Sequence, residues 1–360
     1  MNYTKATLKV KVAWYVTGHG FGHATRIIAL ARKILEEDSN IEILFLSQKK
    51  QLNFIIKSLS NFKDRVFGKV NILDIGLHLK SFDEPDIEKM KANLSYYLAH
   101  INEVTTNEVT ILKEFETQFI VSDCVPHAFV VANTLGIRSL LLTNFTWVKM
   151  YEGILRKEQT QLRQMYSLAD YFIQLMPFQE KIDLSPYTKR GFYCRDFNEE
   201  KALEIRKYLL KNYDNIVYFG MGMSVEYSND FKKFFDKNGK TAFIVPSSFP
   251  KISNNCYPIP INETESQNFV MAADYVITKA GWSTVAESLI AGKAMVVLDR
   301  KNIPEDITTV EYLKTLGIQS VSLDKLLNSL VSGMPVKLAN VAADKRVPND
   351  ISNLIWEARK

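Results

Sequence analysis

Short apolar runs rich in β-branched and aromatic residues alternate along this chain with longer segments whose apolar positions recur at helical spacing. Alternation of that kind predicts βαβ units and a parallel sheet, and here it occurs twice. The first series predicts strands at residues 10–16, 43–46, 70–75, 119–121, 139–143 and 171–174, with helices at 24–36 and 127–135 among the intervening segments. The second predicts strands at 216–219, 241–245, 275–278, 294–297 and 320–322, with helices at 229–235, 283–291 and 308–316. Between them lies the stretch 176–200, broken by Pro177 and Pro186, which puts a domain boundary near residue 195. The expectation is an α/β chain of two Rossmann-like, doubly wound domains facing across a cleft, residues 1–195 and 196–360. Residues 344–360 read as a polar loop and a helix carrying Ile351, Leu354, Ile355 and Trp356, which could pack back on the first domain.

Length and composition agree with two cores. A chain of 360 residues exceeds what one hydrophobic core usually organises, and 46% hydrophobic residues can fill two. The 24% of charged residues and the lack of low-complexity tracts point to a globular protein. No uncharged apolar run reaches bilayer length and the N-terminus lacks a signal peptide's apolar stretch, so a cytoplasmic location is expected, with the inner face of the membrane as a variant of it. Cys124, Cys194 and Cys256 are far apart and show no CxxC spacing, which suggests neither a disulfide framework nor a zinc site. The net charge of +5 is spread over both halves and is too weak for a nucleic-acid partner; it would suit an anionic substrate or membrane surface, and solubility alone also accounts for it.

In doubly wound domains chemistry sits in the loops after the carboxyl ends of the strands. After the first strand comes GHGFGHATR, residues 18–26, leading into a helix. Gly18, Gly20 and Gly22 let the backbone turn sharply and approach a ligand, and the helix start offers free N–H groups. The spacing is GxGxG rather than GxGxxG, and the second strand runs into Ser47 and Gln48 instead of an acidic residue, so a dinucleotide cofactor is not indicated. His19 and His23 flank these glycines where packing needs neither, and a histidine can accept a proton from a hydroxyl at neutral pH. Asp123 ends the fourth strand and could orient such an imidazole, or simply cap the helix that begins beside Pro126 and His127.

In the second half, Gly220 and Gly222 leave a strand and lead to Ser224, in a loop of the kind that cradles phosphates. A stronger signal is TKAGWSTVAESLIAGKAMVVLD, residues 278–299. Lys279 ends the strand, Gly281 and Trp282 make the turn, Ser283 and Thr284 stand at the helix start as cap and phosphate-donor candidates, and Glu287 could grip both hydroxyls of a ribose or act in a capping interaction. Glu305 and Asp306, after the next strand, could bind sugar hydroxyls or serve the helix dipole. No DxD-like pair stands out, so neither a metal nor a cofactor is expected beyond a nucleotide sugar as co-substrate.

Three segments, VTGHGFGHATR, SDCVPHAFVVANTLGIRSLLLTNFTW and DYVITKAGWSTVAESLIAGK, carry a family likeness. In them the chain resembles the two-domain glycosyltransferases of the GT-B fold, especially the glycosyltransferase-like half of plant L-arabinokinases. A more distant likeness is to the enzyme that adds N-acetylglucosamine to the lipid-linked peptidoglycan precursor. The resemblance implies that His23 acts as base or contacts the acceptor with Asp123 orienting it. It further implies that Gly220 and Gly222 approach the donor diphosphate, Glu287 binds the donor ribose, and Glu305 with Asp306 contacts the donor sugar. The peptidoglycan enzyme has glutamines where this chain has Glu305 and Asp306, so the donor does not transfer, and sugar-kinase activity is not expected from these residues.

The expected activity is transfer of a hexosyl or N-acetylhexosaminyl unit from a UDP-sugar to an acceptor hydroxyl, with inversion and without a metal. Two other readings keep the architecture: a non-hydrolysing UDP-sugar 2-epimerase, which needs several carboxylates around the sugar, and a non-catalytic nucleotide-sugar-binding protein. The acceptor could be lipid-linked, a small molecule or a glycan. Phe145, Trp147, Tyr151 and the basic stretch 156–163 could face a hydrophobic acceptor or make peripheral membrane contact, although such a stripe is more often a half-buried helix.

Overall fold

The computed structural model describes residues 9–71, 73–178, 180, 187–222 and 229–358. Its first half runs β1 (Val10–Val16), α1 (Gly22–Glu37), β2 (Ile41–Ser47), α2 (Lys49–Ser58), β3 (Val66–Val70), α3 (Ile87–Glu114), β4 (Phe119–Asp123), α4 (His127–Leu135), β5 (Arg138–Thr143), α5 (Trp147–Met150), α6 (Arg156–Tyr166), β6 (Tyr171–Leu175) and β7 (Tyr187–Arg190). The second half runs α7 (Glu199–Leu209), β8 (Asn215–Gly220), α8 (Asn229–Lys237), β9 (Thr241–Val245), β10 (Cys256–Pro258), α9 (Gln267–Ala272), β11 (Tyr275–Lys279), α10 (Trp282–Ile290), β12 (Ala294–Leu298), α11 (Pro304–Thr315), β13 (Ser320–Val321), α12 (Leu323–Leu327), β14 (Lys337–Leu338) and α13 (Arg346–Glu357).

The strands form two sheets with the same winding. The first is parallel, in the order β3-β2-β1-β4-β5-β6-β7, and the second runs β10-β9-β8-β11-β12-β13, with β14 antiparallel on β12. In each, the chain starts at the centre, winds outward to one edge and returns to the other side, so a switch point lies between β1 and β4 and again between β8 and β11. β1 shows why its run is almost wholly apolar: Val10, Val12 and Trp14 join one buried cluster, while Ala13 and Tyr15 join another on the opposite face. Helices cover both faces of a parallel sheet, which removes the polar positions of a half-exposed strand.

The predicted strand at 70–75 is corrected to Val66–Val70. Leu73 and Ile75 are buried, which explains the apolar signal, but their backbone is claimed by side chains: Asn71 Oδ1 accepts from the Leu73 N–H at 2.9 Å and Asp74 Oδ1 from the Ile75 N–H at 2.8 Å. Donors spent on Asx-type turns cannot extend a ladder. The 28-residue α3, capped by Asp86, was not foreseen. Neither was the edge strand β7, which pairs with β6 inside the stretch read as a connection. Phe145, Trp147 and Tyr151 do not face outward: each is buried in the core beneath α3 and α6. The helix over 156–163 likewise turns Leu162, Met165 and Tyr166 inward, the half-buried arrangement named as the alternative.

The C-terminal helix crosses back to the first sheet's side. Val347, Ile351 and Ile355 join the cluster that contains α1, Trp356 Nε1 donates to Asp38 Oδ2 at 3.0 Å, and Asp350 pairs with Arg190 at the end of β7. Ile351 has no exposed surface. Ile351→Ala should therefore cost about 3 kcal/mol from lost burial and the cavity left behind. Chemical denaturation would measure it, and a loss under about 1 kcal/mol would show that α13 contributes little to the fold.

Candidate active site

Loops from the carboxyl ends of both sheets line one cleft of about 530 Å³. The first domain contributes His19, Gly20, Phe21, Gly22, His23 and Arg26 after β1, with Phe54 and Leu77 toward the mouth. The second contributes Gly220 and Gly222 after β8, Pro246 and Ser247 after β9, Lys279, Gly281, Trp282, Ser283, Thr284 and Glu287 around the start of α10, and Glu305 on α11. The two switch points thus face each other, and most of the residues singled out from sequence line the cleft, Gly18, Asp123 and Asp306 among the described residues being the exceptions.

On the first side the glycine loop is set by its neighbours. Gly20 has φ +78°, a conformation that disfavours side chains, and a Cβ on Gly18 would stand 2.5 Å from Gln48 Cγ. Asp74 Oδ2 accepts from the Thr17 hydroxyl at 2.8 Å and from the Gly18 N–H, and the Gln51 amide donates to Gly18 O at 2.9 Å. Burial pushes the Asp74 carboxyl above its ordinary value, and these donors offset part of that.

So positioned, α1 presents His23 and Arg26, one turn apart, to the end of β4. His23 Nδ1 lies 2.9 Å from Asp123 Oδ1, and Arg26 forks the same carboxylate, with Nε 2.7 Å from Oδ2 and Nη2 on Oδ1. Asp123 has no exposed surface. Burial would raise its pKa, but the Arg26 charge and the hydrogen bonds from Arg26 and His23 more than offset this and hold it below the usual carboxylate range. Asp123 thus stands within hydrogen-bond distance of the imidazole, and α4 has no side-chain cap. His19 is placed differently. Its ring packs edge-on to Trp147 at 5.5 Å and lies 6.4 Å from the His23 ring. Burial, reinforced by Lys279, lowers its pKa well below the ordinary histidine value.

On the second side Gly222 has φ +71° and lies against the Lys279 side chain, 3.0 Å separating a built Cβ from Lys279 Cε. Ser224 falls outside the described residues. Burial, aided by the Arg300 charge, lowers Lys279 below the ordinary lysine value. α10 begins after Gly281 with no side-chain cap. The Ser283 hydroxyl, expected to cap or to hold a phosphate, instead donates across the cleft to Gly22 O at 2.7 Å. Trp282 Nε1 donates to Met176 O at 2.8 Å, and its ring takes the Arg26 guanidinium at 5.3 Å. Glu287 is buried at the cleft wall and accepts from Arg195 Nη2 at 3.0 Å; burial raises its pKa, and Arg195 opposes the shift.

Glu305 and Asp306 separate. Glu305 lines the cleft and accepts from Asn144 Nδ2 at 3.0 Å. Asp306, expected beside it on the donor sugar, has no exposed surface and gives both oxygens to Arg300, at 2.7 and 2.6 Å. A carboxylate next in sequence on a helix points to a different side, and this one is used to neutralise Arg300. Arg26, Asp74, Asn144 and Arg195 were not assigned from sequence. Arg26 had a usable signal, a basic residue one helical turn from His23; the other three meet the site through loops far away in sequence. Among the described residues no group of three or more His, Cys, Asp or Glu is arranged to hold a metal ion.

Comparison with known proteins agrees with this architecture. No family model matches the chain. It is 26% identical over 342 residues to L-arabinokinase of Arabidopsis thaliana, an alignment covering 88% of this chain and 31% of that protein, so the chain spans about a third of that relative's length. Solved structures of similar fold include a UDP-glucosyltransferase from Polygonum tinctorium capable of glucosylating indoxyl, with TM-score 0.61, 13% identity and coverage of 98% of this chain and 94% of that one. Phytolacca americana UGT2, complexed with UDP-2fluoro-glucose and pterostilbene, has TM-score 0.58 at 13% identity, covering 88% and 87%. Spinosyn forosaminyltransferase SpnP has TM-score 0.57 at 12% identity, covering 97% and 94%. The fold is that of the GT-B glycosyltransferases, and the resemblance read from the three sequence segments stands.

The Arg195–Glu287 pair yields a stability test. Removing the cation alone leaves a buried carboxylate without its partner, so Arg195→Met should destabilise by about 3–5 kcal/mol, whereas Arg195→Met with Glu287→Gln should recover a large part of that loss. A double-variant loss equal to the sum of the Arg195→Met and Glu287→Gln losses, measured by urea unfolding, would mean the pair is not coupled.

Proposed function

We propose that this chain is a glycosyltransferase that moves a hexosyl or N-acetylhexosaminyl unit from a UDP-sugar to an acceptor hydroxyl. The observation that carries the reading is a histidine oriented by a buried carboxylate at one switch point, facing a glycine turn, a lysine and a helix start at the other. Acid–base chemistry and an anion site share one cleft. The UDP-linked ligand of the Phytolacca americana structure supports the choice of donor.

In this reading the second domain holds the donor. Glu287 receives the ribose hydroxyls, the amides around Gly220 and Gly222 and at the start of α10 face the diphosphate, and Lys279 supplies positive charge as the leaving group departs. Glu305, steadied by Asn144, contacts the sugar. The acceptor enters past Phe21, Phe54 and Leu77. With Nδ1 engaged by Asp123, His23 takes the acceptor's hydroxyl proton on Nε2 as the oxygen bonds to the anomeric carbon and the carbon–oxygen bond to the diphosphate breaks, the diphosphate leaving with the electron pair. A single displacement of this kind inverts the anomeric configuration, and no step draws on a metal. His19, kept neutral by burial, serves as a hydrogen-bonding group beside the base. A 2-epimerase would need several carboxylates around the sugar, and the withdrawal of Asp306 toward Arg300 weighs against that alternative.

A panel of nucleotide sugars, read by thermal stabilisation of wild type and Glu287→Ala, tests the donor site. One sugar nucleotide at about 100 times its Kd should stabilise the wild type by about 2.7 kcal/mol and leave the variant's melting point nearly unmoved. No stabilisation by any nucleotide or nucleotide sugar at millimolar concentration would remove the main support for the donor assignment. His23→Ala should then lower UDP release from that donor by about 10²- to 10⁴-fold while keeping the donor's stabilising effect. A variant that turns over at the wild-type rate would rule out His23 as the base.

A further inference from the structure

Resting on that reading of His23 as base, the geometry points to a positioning role for Arg26. We propose that Arg26 fixes the Asp123–His23 pair in its base-competent form and ties that form to contact between the two domains.

The argument starts from three atoms. Asp123 Oδ1, His23 Nδ1 and Arg26 Nη2 form a triangle in which His23 Nδ1 is 2.9 Å from Asp123 Oδ1 and 2.9 Å from Arg26 Nη2, and Arg26 Nη2 also bonds Oδ1. A guanidinium nitrogen only donates, whereas a ring nitrogen can donate or accept. While Oδ1 stays in place, both nitrogens donate to it, the imidazole proton sits on Nδ1, and Nε2 keeps its lone pair. If the carboxylate turned away, the guanidinium N–H would face Nδ1 directly and favour a lone pair there, driving the imidazole proton to Nε2, where it blocks the base. Arg26 prevents the turn itself, because Nε holds Oδ2 at 2.7 Å while Nη2 holds Oδ1.

What holds Arg26 comes from both domains. Its guanidinium lies 5.3 Å from the Trp282 ring on α10, and Nη1 donates to Asn144 Oδ1 at 2.5 Å. Asn144 in turn donates to Glu305 Oε1 on α11, in the second domain. Arg26 is 2% exposed, so with the domains in contact these partners stand in the place of water. Separation of the domains removes Trp282 and Glu305 from the array and loosens the fork on Asp123. The base is then correctly set only when the domain that carries the donor is in contact.

The experiment reads the tautomer of His23 without turnover. The chain has five histidines, so spectra of protein labelled with ¹⁵N in the imidazoles are tractable, and His23→Gln assigns the signal. Wild type should show His23 with its proton on Nδ1 and slow exchange of that proton with water. Arg26→Lys keeps the charge but not the fork, and should give mixed tautomers with exchange at least about tenfold faster, the other four imidazoles unchanged. Trp282→Leu should change both readouts in the same direction and less. Wild-type tautomer and exchange within about twofold in Arg26→Lys overturn the proposal. If Arg26→Lys disturbs all five imidazoles, Trp282→Leu decides, and an unchanged His23 there overturns the coupling. Donor stabilisation and UDP release test the transferase reading separately, so either can fail while the other stands.

Discussion

The site depends on how a fully buried charge is compensated. Asp123 ends a central strand with no access to water, and a carboxylate in that position costs several kcal/mol unless it is paired and hydrogen-bonded. The pairing comes from the first turn of α1, where His23 and Arg26 both reach it. That requires α1 to begin at one particular place beside β4, which the glycine loop provides: Gly20 takes a left-handed turn, Gly18 lies too close to Gln48 for a side chain, and Asp74 clamps the loop through Thr17 and Gly18. The same contacts that neutralise the buried charge fix where the imidazole stands, so the stability of this corner and the placing of His23 draw on one set of residues.

The second sheet repeats the winding of the first, and its switch point carries the complementary character. Around the first lie groups that can move a proton. Around the second lie a helix start, a glycine turn and a half-buried lysine, all favourable to anionic oxygens. The second domain's wall of the cleft is also tied to the segment between the sheets, because Arg195, which precedes α7, is buried beside Glu287 and donates to its carboxylate. A rotation at that segment would carry the partner of Glu287 with it.

Most strands were legible because buried parallel strands read as apolar runs bounded by turns, and β1 and β9 fall at the predicted residues. Failures occurred where apolarity and hydrogen bonding part company. Leu73 and Ile75 are buried without a ladder because Asn71 and Asp74 take their neighbours' N–H groups. β7 forms a ladder with half-exposed side chains and leaves little pattern to read. Loop position led to His23, Gly222 and Glu287, which line one cleft, and to Asp123 beside His23, since ligand sites collect after strand ends. Which way a side chain points was not legible: Glu305 and Asp306 are adjacent in sequence, yet one faces the cleft and the other faces Arg300. Nor was the role of Asn144, which gains meaning only when a residue far along the chain arrives beside it.

Contacts across the cleft are numerous and individually small. Arg32 with Glu265 and Lys33 with Asp196 are partly exposed ion pairs, worth little against screening and side-chain entropy, and Ser283 to Gly22 O is a single hydrogen bond. None of these would hold the domains together alone. The attachment of α13 is of another kind, with Val347, Ile351 and Ile355 buried in the cluster that α1 shares. Apolar burial of that extent outweighs the exposed ion pairs by several kcal/mol. The buried contacts of α1 with α13 and with α10 therefore carry more of the attachment between the two halves than the exposed ion pairs do.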